Sequence, residues 1–224
     1  MRKQWKVAAT LGSRLDLRLE ARFEWRKDRF AHQVVMVTAA TEHLCVQSVE
    51  GNDQEDFPPS PPLQDMSVEQ RVGSQVALGV GMAGSAMWSL SVEAQADEGG
   101  LLFDWACQTR GARIWPRNCY FLSGDDRGAN SAPAEVLLYR WKGPSGVPVE
   151  VVLTLVQTTA TLPLGYRIAN QDAGVLTNTP VAMNDSTGGS VLEVEGQPAD
   201  REPTVPKSGT LRWQYRIALR MGVE

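Results

Sequence analysis

"LDLRLEARFEWR", residues 15–26, alternates apolar and charged side chains without exception, and its reading decides the fold. Leu15, Leu17, Leu19, Ala21, Phe23 and Trp25 form one set; Asp16, Arg18, Glu20, Arg22, Glu24 and Arg26 form the other. Wound as a helix, positions i and i+4 would meet. Arg14, Arg18, Arg22 and Arg26 would then share one row and Asp16, Glu20, Glu24 and Asp28 another, each like-charge pair costing roughly 0.2–0.5 kcal/mol. Extended as a strand, i and i+2 share a face, so the charged face alternates in sign and the apolar face is unbroken. Both considerations favour an antiparallel strand with one wet face, because a strand buried on both faces would be apolar throughout. Strict alternation also pins register, since a one-residue slip would expose every apolar side chain.

The same grammar extends outward. "FAHQVVMVT", residues 30–38, places Phe30, His32, Val34 and Met36 on one face. Lys27-Asp28 is the turn between the two runs, although it lacks the glycine such a turn prefers. Strands are predicted again in "HLCVQSVEG" (43–51), "LLFDWACQ" (101–108), "RIWPRNCYFL" (113–122, broken at Pro116), "AEVLLYRW" (134–141), "VPVEVVLTLVQ" (147–157), "TATLPLGYRIA" (159–169) and "LRWQYRIALR" (211–220). In "QVALGVGMAGSAMWSLSVEAQ" (75–95), Gly79, Gly81 and Gly84 match G-x-G-x-x-G. A dinucleotide site needs a helix after that match. Trp88, Leu90, Val92 and Ala94 instead alternate with Ser89, Ser91, Glu93 and Gln95, so the glycines read as part of a strand–turn–strand.

The expected fold is therefore all-β, an antiparallel sandwich or barrel-like structure of about eleven strands with little or no helix. One domain spanning 1–224 is expected, with the loop at 124–133 as the candidate internal boundary and the first and last strands as candidate neighbours in one sheet. Residues 52–65, "NDQEDFPPSPPLQD", form an acidic, proline-rich loop. Its "PPSPP" is either a docking segment for a partner or, the simpler reading, a solvated connection.

Composition narrows the function. A net charge of −4 and a pI near 5.3 oppose nucleic-acid binding. No apolar run reaches the roughly 20 residues of a membrane span, and "MRKQWKVAATLG" lacks the apolar core of a signal peptide, so a soluble cytoplasmic chain is expected. Cys45, Cys107 and Cys119 have no metal-ligand spacing and read as reduced, buried thiols, with Cys107 and Cys119 the one pair in neighbouring predicted strands. Charge is laid out unevenly. Arg71 is the only Lys or Arg between Phe30 and Thr109, a span rich in Asp and Glu, and Arg110, Arg113 and Arg117 follow at once. Either this makes an acidic and a basic surface, or folding interleaves the segments; the second is expected.

The only histidines, His32 and His43, match no compact zinc spacing. His32 lies on an apolar face and reads as a satisfied core histidine, though it is also a candidate base. Asp104, between Phe103 and Trp105, is a candidate general acid if it is half-buried, with Glu93 or Glu135 as the second carboxylate. The competing expectation points it to solvent, opposite the two aromatics. Asp125, Asp126 and Asn130 offer oxygen ligands for calcium but lack EF-hand spacing and read as a turn. Trp25, Trp88, Trp105 and Trp213 share faces with aliphatics and read as core, which leaves Trp5, Trp115 and Trp141 free to be exposed; Trp115 and Trp141, with Arg113 and Arg117, are candidates for stacking and holding a small ligand or sugar. No cofactor is expected. The leading expectation is a non-enzymatic domain that contacts a protein partner or its own copies in a homo-oligomer. Behind it come a carbohydrate- or small-ligand-binding sandwich and, last, a carboxylate-dependent hydrolase.

Overall fold

The computed structural model describes residues 4–10, 17–51, 59–95, 99–110, 117–122, 135–142, 146–156, 164–170, 190–196 and 208–221. Among them are fourteen strands and no helix: β1 (Gln4–Thr10), β2 (Arg18–Arg26), β3 (Arg29–Val37), β4 (Glu42–Ser48), β5 (Asp65–Arg71), β6 (Ser74–Ala83), β7 (Ala86–Gln95), β8 (Gly100–Arg110), β9 (Arg117–Leu122), β10 (Glu135–Lys142), β11 (Pro148–Val156), β12 (Leu164–Asn170), β13 (Ser190–Gly196) and β14 (Ser208–Met221). They form two antiparallel sheets, ordered β1-β2-β3-β4-β9-β13-β12 and β10-β11-β14-β8-β7-β6-β5, which pack face to face as a sandwich. The expected eleven strands undercount. β1 and β5 carry few large apolar residues, and β13 follows a polar stretch that reads as loop. The first and last strands are not neighbours: β1 edges one sheet and β14 lies inside the other, between β11 and β8.

The opening alternation explains its corner of the sandwich. β2 pairs with β3 so that Leu19 faces Met36, Ala21 faces Val34 and Phe23 faces His32. Leu17, Leu19, Ala21 and Phe23 are buried and Trp25 is half-buried against the core; Leu15 lies outside the described residues. Lys27, at the turn, takes a left-handed φ of 58° in place of the expected glycine. On the outer face the alternating signs pair along the strand. Glu20, fully covered, accepts from Lys6 Nζ at 3.2 Å, Arg18 Nε at 2.7 Å and Arg22 Nε at 2.7 Å. Burial alone would raise the Glu20 pKa; these hydrogen bonds outweigh it and hold it below the ordinary value. Arg22 also forks onto Glu42 of β4, with both bonds at 2.7 Å. The acidic middle of the sequence is thus met by arginines from elsewhere, Glu42 by Arg22 and Asp104 by Arg212.

Between the sheets, Trp105 stacks on Trp213, Trp88 meets Trp213 edge-on, and Phe103 stacks on Tyr215 with centroids 5.0 Å apart. Cys45, Cys107 and Cys119 are free thiols and buried. Burial pushes the Cys45 and Cys107 thiols up to about 12, which suppresses the reactive thiolate.

Residues 52–58 of the proline-rich stretch lie outside the described residues, but from Pro59 onward the crossing from β4 to β5 is not the solvated connection expected. Ser60, Pro61, Pro62 and Leu63 are buried. The Pro59 carbonyl accepts from Cys119 N, Ser60 Oγ donates to the Cys119 carbonyl, Phe30 N donates to Leu63 O at 2.7 Å, and Gln64 N donates to Val80 O at 2.8 Å. The segment passes directly over Gly79 and Gly81 of β6. Gly84 sits in the two-residue turn between Ala83 and Ala86, at φ 53°. The three glycines therefore serve a crossing and a hairpin, and no helix follows them.

Candidate functional site

Four arrangements could bear function: a polar chain through the core, a buried carboxylate beside it, an aromatic cluster at one side of the sandwich, and an exposed apolar patch outside it.

His32 is 2 % exposed and lies among the rings of Phe23, Phe103, Trp105 and Tyr120. Its Nε2 is 2.8 Å from Tyr120 OH, which bonds Tyr215 OH, to which Trp105 Nε1 donates at 3.1 Å. One direction gives both hydroxyls a donor and an acceptor: Trp105 N–H to Tyr215, Tyr215 to Tyr120, and Tyr120 to His32 Nε2, which places the imidazole proton on Nδ1. Desolvation pushes His32 down to about 3 and raises both phenols. A general base needs access to substrate and a pKa near the working pH, and His32 has neither. The chain instead ties β3 and β9 of one sheet to β14 and β8 of the other. Tyr215→Phe would leave the Trp105 N–H without its acceptor and take from the Tyr120 hydroxyl the bond it accepts, while Tyr120 still donates to His32. A loss of about 1–3 kcal/mol is expected from urea unfolding, with the fold retained.

Glu50 follows β4. Ser48 Oγ donates to its Oε1 at 2.5 Å and accepts from His32 N at 2.9 Å. Just past the Ser48–Tyr120 pair, Val49 N donates to Cys119 O, so the chain before Glu50 still runs beside β9. Trp213 Nε1 donates to Asn118 Oδ1 at 2.8 Å. Glu50 Oε2 and Asn118 Nδ2 are both buried and without a hydrogen bond among the described residues. Desolvation raises the Glu50 carboxyl to about 7, against the Ser48 hydrogen bond and the attraction of Arg29 and Arg26.

His43 and Trp141 meet where β4 faces β10. His43 Nδ1 is 3.0 Å from Tyr139 OH, its Nε2 is 2.8 Å from Thr41 Oγ1, and the Trp141 ring lies 6.2 Å from it. Trp141 and Tyr139 are half-buried and pack on the core, which leaves Trp141 less open than a sugar platform would need. Sequence spacing could not join His43 to residues almost a hundred positions away.

Asp104 is on the outer face of β8, opposite the inward Phe103 and Trp105. Arg212 forks onto it through Nε, at 2.7 Å, and Nη2. Of its suggested partners, Glu93 takes a hydrogen bond from Ser74 and Glu135 is paired with Arg220. Arg117 opens β9 in register with Glu195. Trp115, Arg113, Asp125, Asp126 and Asn130 lie outside the described residues. Among the described residues no group of three His, Cys, Asp or Glu is placed to hold a metal ion.

The arrangement that sequence reasoning missed is on the outside of the second sheet, at the β6–β7 turn. Val80, Met82 and Met87 are 53 %, 52 % and 55 % exposed. Met82 and Met87 are cross-strand partners, flanked by Gln108 and Thr210 on β8 and β14; Val80 lies between Asp65 on β5 and Ser89 on β7, with Ala106 beyond. Apart from Asp65, none of these side chains is charged. Gln64 binds both backbone groups of Met82 and so closes the sheet edge beside the patch. In the sequence the signal was present but inverted. In "LGVGM" the glycines face inward under Pro62 and Leu63, which forces Val80 and Met82 outward. No protein-family model matches the chain, and no curated protein is similar to it.

Proposed function

We propose that this chain is a non-enzymatic β-sandwich domain that works by contact with another protein or with its own copies, through the outer face around Val80, Met82 and Met87. The observation that carries this reading is the cluster of large apolar side chains, Val80, Met82 and Met87, each more than half exposed on the outer face of the second sheet. Exposed apolar clusters with polar rims mark contact surfaces, and methionine adapts its shape to what it meets. The buried chain through His32 supports the reading from the other side: the best-connected polar groups are spent on holding the sheets together. Among the described residues no helix is long and apolar enough to cross a membrane.

Hydroxyl-radical footprinting tests the surface. Met82 and Met87 are expected to oxidise slowly in the working assembly or in cell extract and several-fold faster in the dilute purified chain. Equal rates in both settings would remove the proposal. A Met87→Lys variant is expected to keep its stability within about 0.5 kcal/mol, because the position faces solvent and its cross-strand partner Met82 is uncharged.

A further inference from the structure

The row through Val80 has a symmetry of its own. Read across five strands it runs Asp65 on β5, Val80 on β6, Ser89 on β7, Ala106 on β8 and Arg212 on β14. One end is an acid and the other a base, each two strands from β7, with uncharged side chains between. Resting on the reading above, we infer that the partner of this face is a second copy of the chain, related by a two-fold axis that lies over β7 and runs parallel to it.

The argument is one of self-complementarity. A two-fold contact presents the same patch from both sides, so the patch must suit itself. An axis along β7 carries each strand position onto the one equally far on the other side. It sets Asp65 of one copy over Arg212 of the other, twice, Val80 over Ala106, and Ser89 over Ser89. In the neighbouring row it sets Met87 over Met87 and Met82 over Gln108. An in-plane axis across the strands would instead set Asp65 over Asp65 and Arg212 over Arg212, like on like, so charge selects the first axis. Asp65 is exposed and makes no ion pair among the described residues. Arg212 gives Nε and Nη2 to Asp104 and retains Nη1 for a second partner. Sheet faces packed this way keep their strands within about 30° of each other.

The contact is small. Five strands about 4.8 Å apart span about 19 Å, which puts the interface at the low end of the size range, where transient contacts are found. Apolar contact supplies the attraction and the charged ends select the orientation.

Sedimentation equilibrium of the full chain, carried into the high micromolar range, tests this. All charge variants carry Asp104→Asn, so that a reversed Arg212 does not face an acid on its own sheet. The D104N chain is expected to dimerise, Asp65→Arg or Arg212→Asp alone to weaken the dimer about tenfold, and the two together to restore it to within about threefold. Thermal melts of each variant verify folding. If D104N dimerises, Met87→Lys dissolves the dimer and the charge reversals do nothing, the inferred axis is wrong while self-contact through the patch stands. If the chain stays monomeric throughout, the inference fails. The broader reading then rests on footprinting in extract, where protection of Met82 and Met87 would point to a different protein.

Discussion

Gly81→Ala is expected to lower stability by about 3–5 kcal/mol, a loss that unfolds many domains outright. A Cβ at this position would lie 1.9 Å from the Pro62 carbonyl oxygen, 2.8 Å from its carbon and 3.2 Å from Gln64 N. All three are backbone atoms, so no side chain can swing aside. The crossing segment would have to lift away from β6. That would break the Phe30–Leu63 and Gln64–Val80 hydrogen bonds and draw the fully buried Leu63 out of the core. Overpacking and unmade buried hydrogen bonds add here. Gly73 supplies the control. It has a left-handed φ of 78° with open space around it, so Gly73→Ala is expected to cost only about 1 kcal/mol, through backbone strain alone. Urea denaturation of the two variants side by side decides the matter. A Gly81→Ala protein within 1 kcal/mol of the parent would show that the crossing does not press on β6 as described.

The second large effect is on pH dependence, where two buried groups oppose each other. Glu50 titrates near 7 in the folded chain against an ordinary 4.5, so between those values the folded state holds the extra proton. Its contribution to stability therefore falls as pH rises from 4.5 to 7, by about 3 kcal/mol in total. His32 titrates near 3 in the folded chain against an ordinary 6.5, so there the unfolded state holds the extra proton. Its contribution is lost as pH falls from 6.5 to 3, by about 5 kcal/mol. From about 6.5 to 4.5 the two slopes cancel and stability is expected to be nearly flat. Below 4.5 Glu50 is already protonated and only losses remain. His32 continues to fall, and the carboxylates held low by arginines, Glu20 and Glu150 among them, add to it. Glu50→Gln removes one arm. The variant is expected to exceed the parent by about 3 kcal/mol at pH 8, to match it near pH 4.5, and to slope continuously between pH 6.5 and 3. Urea unfolding across that range reads all three features. A variant less stable than the parent at pH 8 would mean that Glu50 is held as a well-compensated anion.

Much of the fold is legible in the sequence wherever one face of a strand is wet. β2, β7, β8 and β14 alternate cleanly, and their apolar sets are the residues buried between the sheets. Legibility ends where a second element covers the expected wet face or replaces a side chain. β3 is buried on both faces, Val35 and Val37 included, although its run reads as one-sided. The proline-rich crossing reads as solvated because its composition is that of a loop. Its burial depends on glycines fifteen or more positions away leaving room for it. The candidate surface was hidden for the same reason: apolar residues between glycines look like core until the register shows which set points outward. His32 was placed correctly because its own strand encodes its face. Its hydrogen-bond partners Tyr120 and Tyr215 come from β9 and β14, and no local pattern announces them.

The position of β14 has a consequence for how the chain acquires this shape. β8 and β11 touch through β14 alone, with Trp105 paired to Trp213 and Leu153 to Ile217. Until Ser208–Met221 has been synthesised, the second sheet exists as two pieces, each with a bare ladder edge beside Trp105 or Leu153. Closure must then pair β14 with β8, about a hundred positions back in the chain, and such non-local pairing slows folding. Aggregation risk is accordingly concentrated in the nascent chain and during refolding, at two central strands that the finished sandwich conceals.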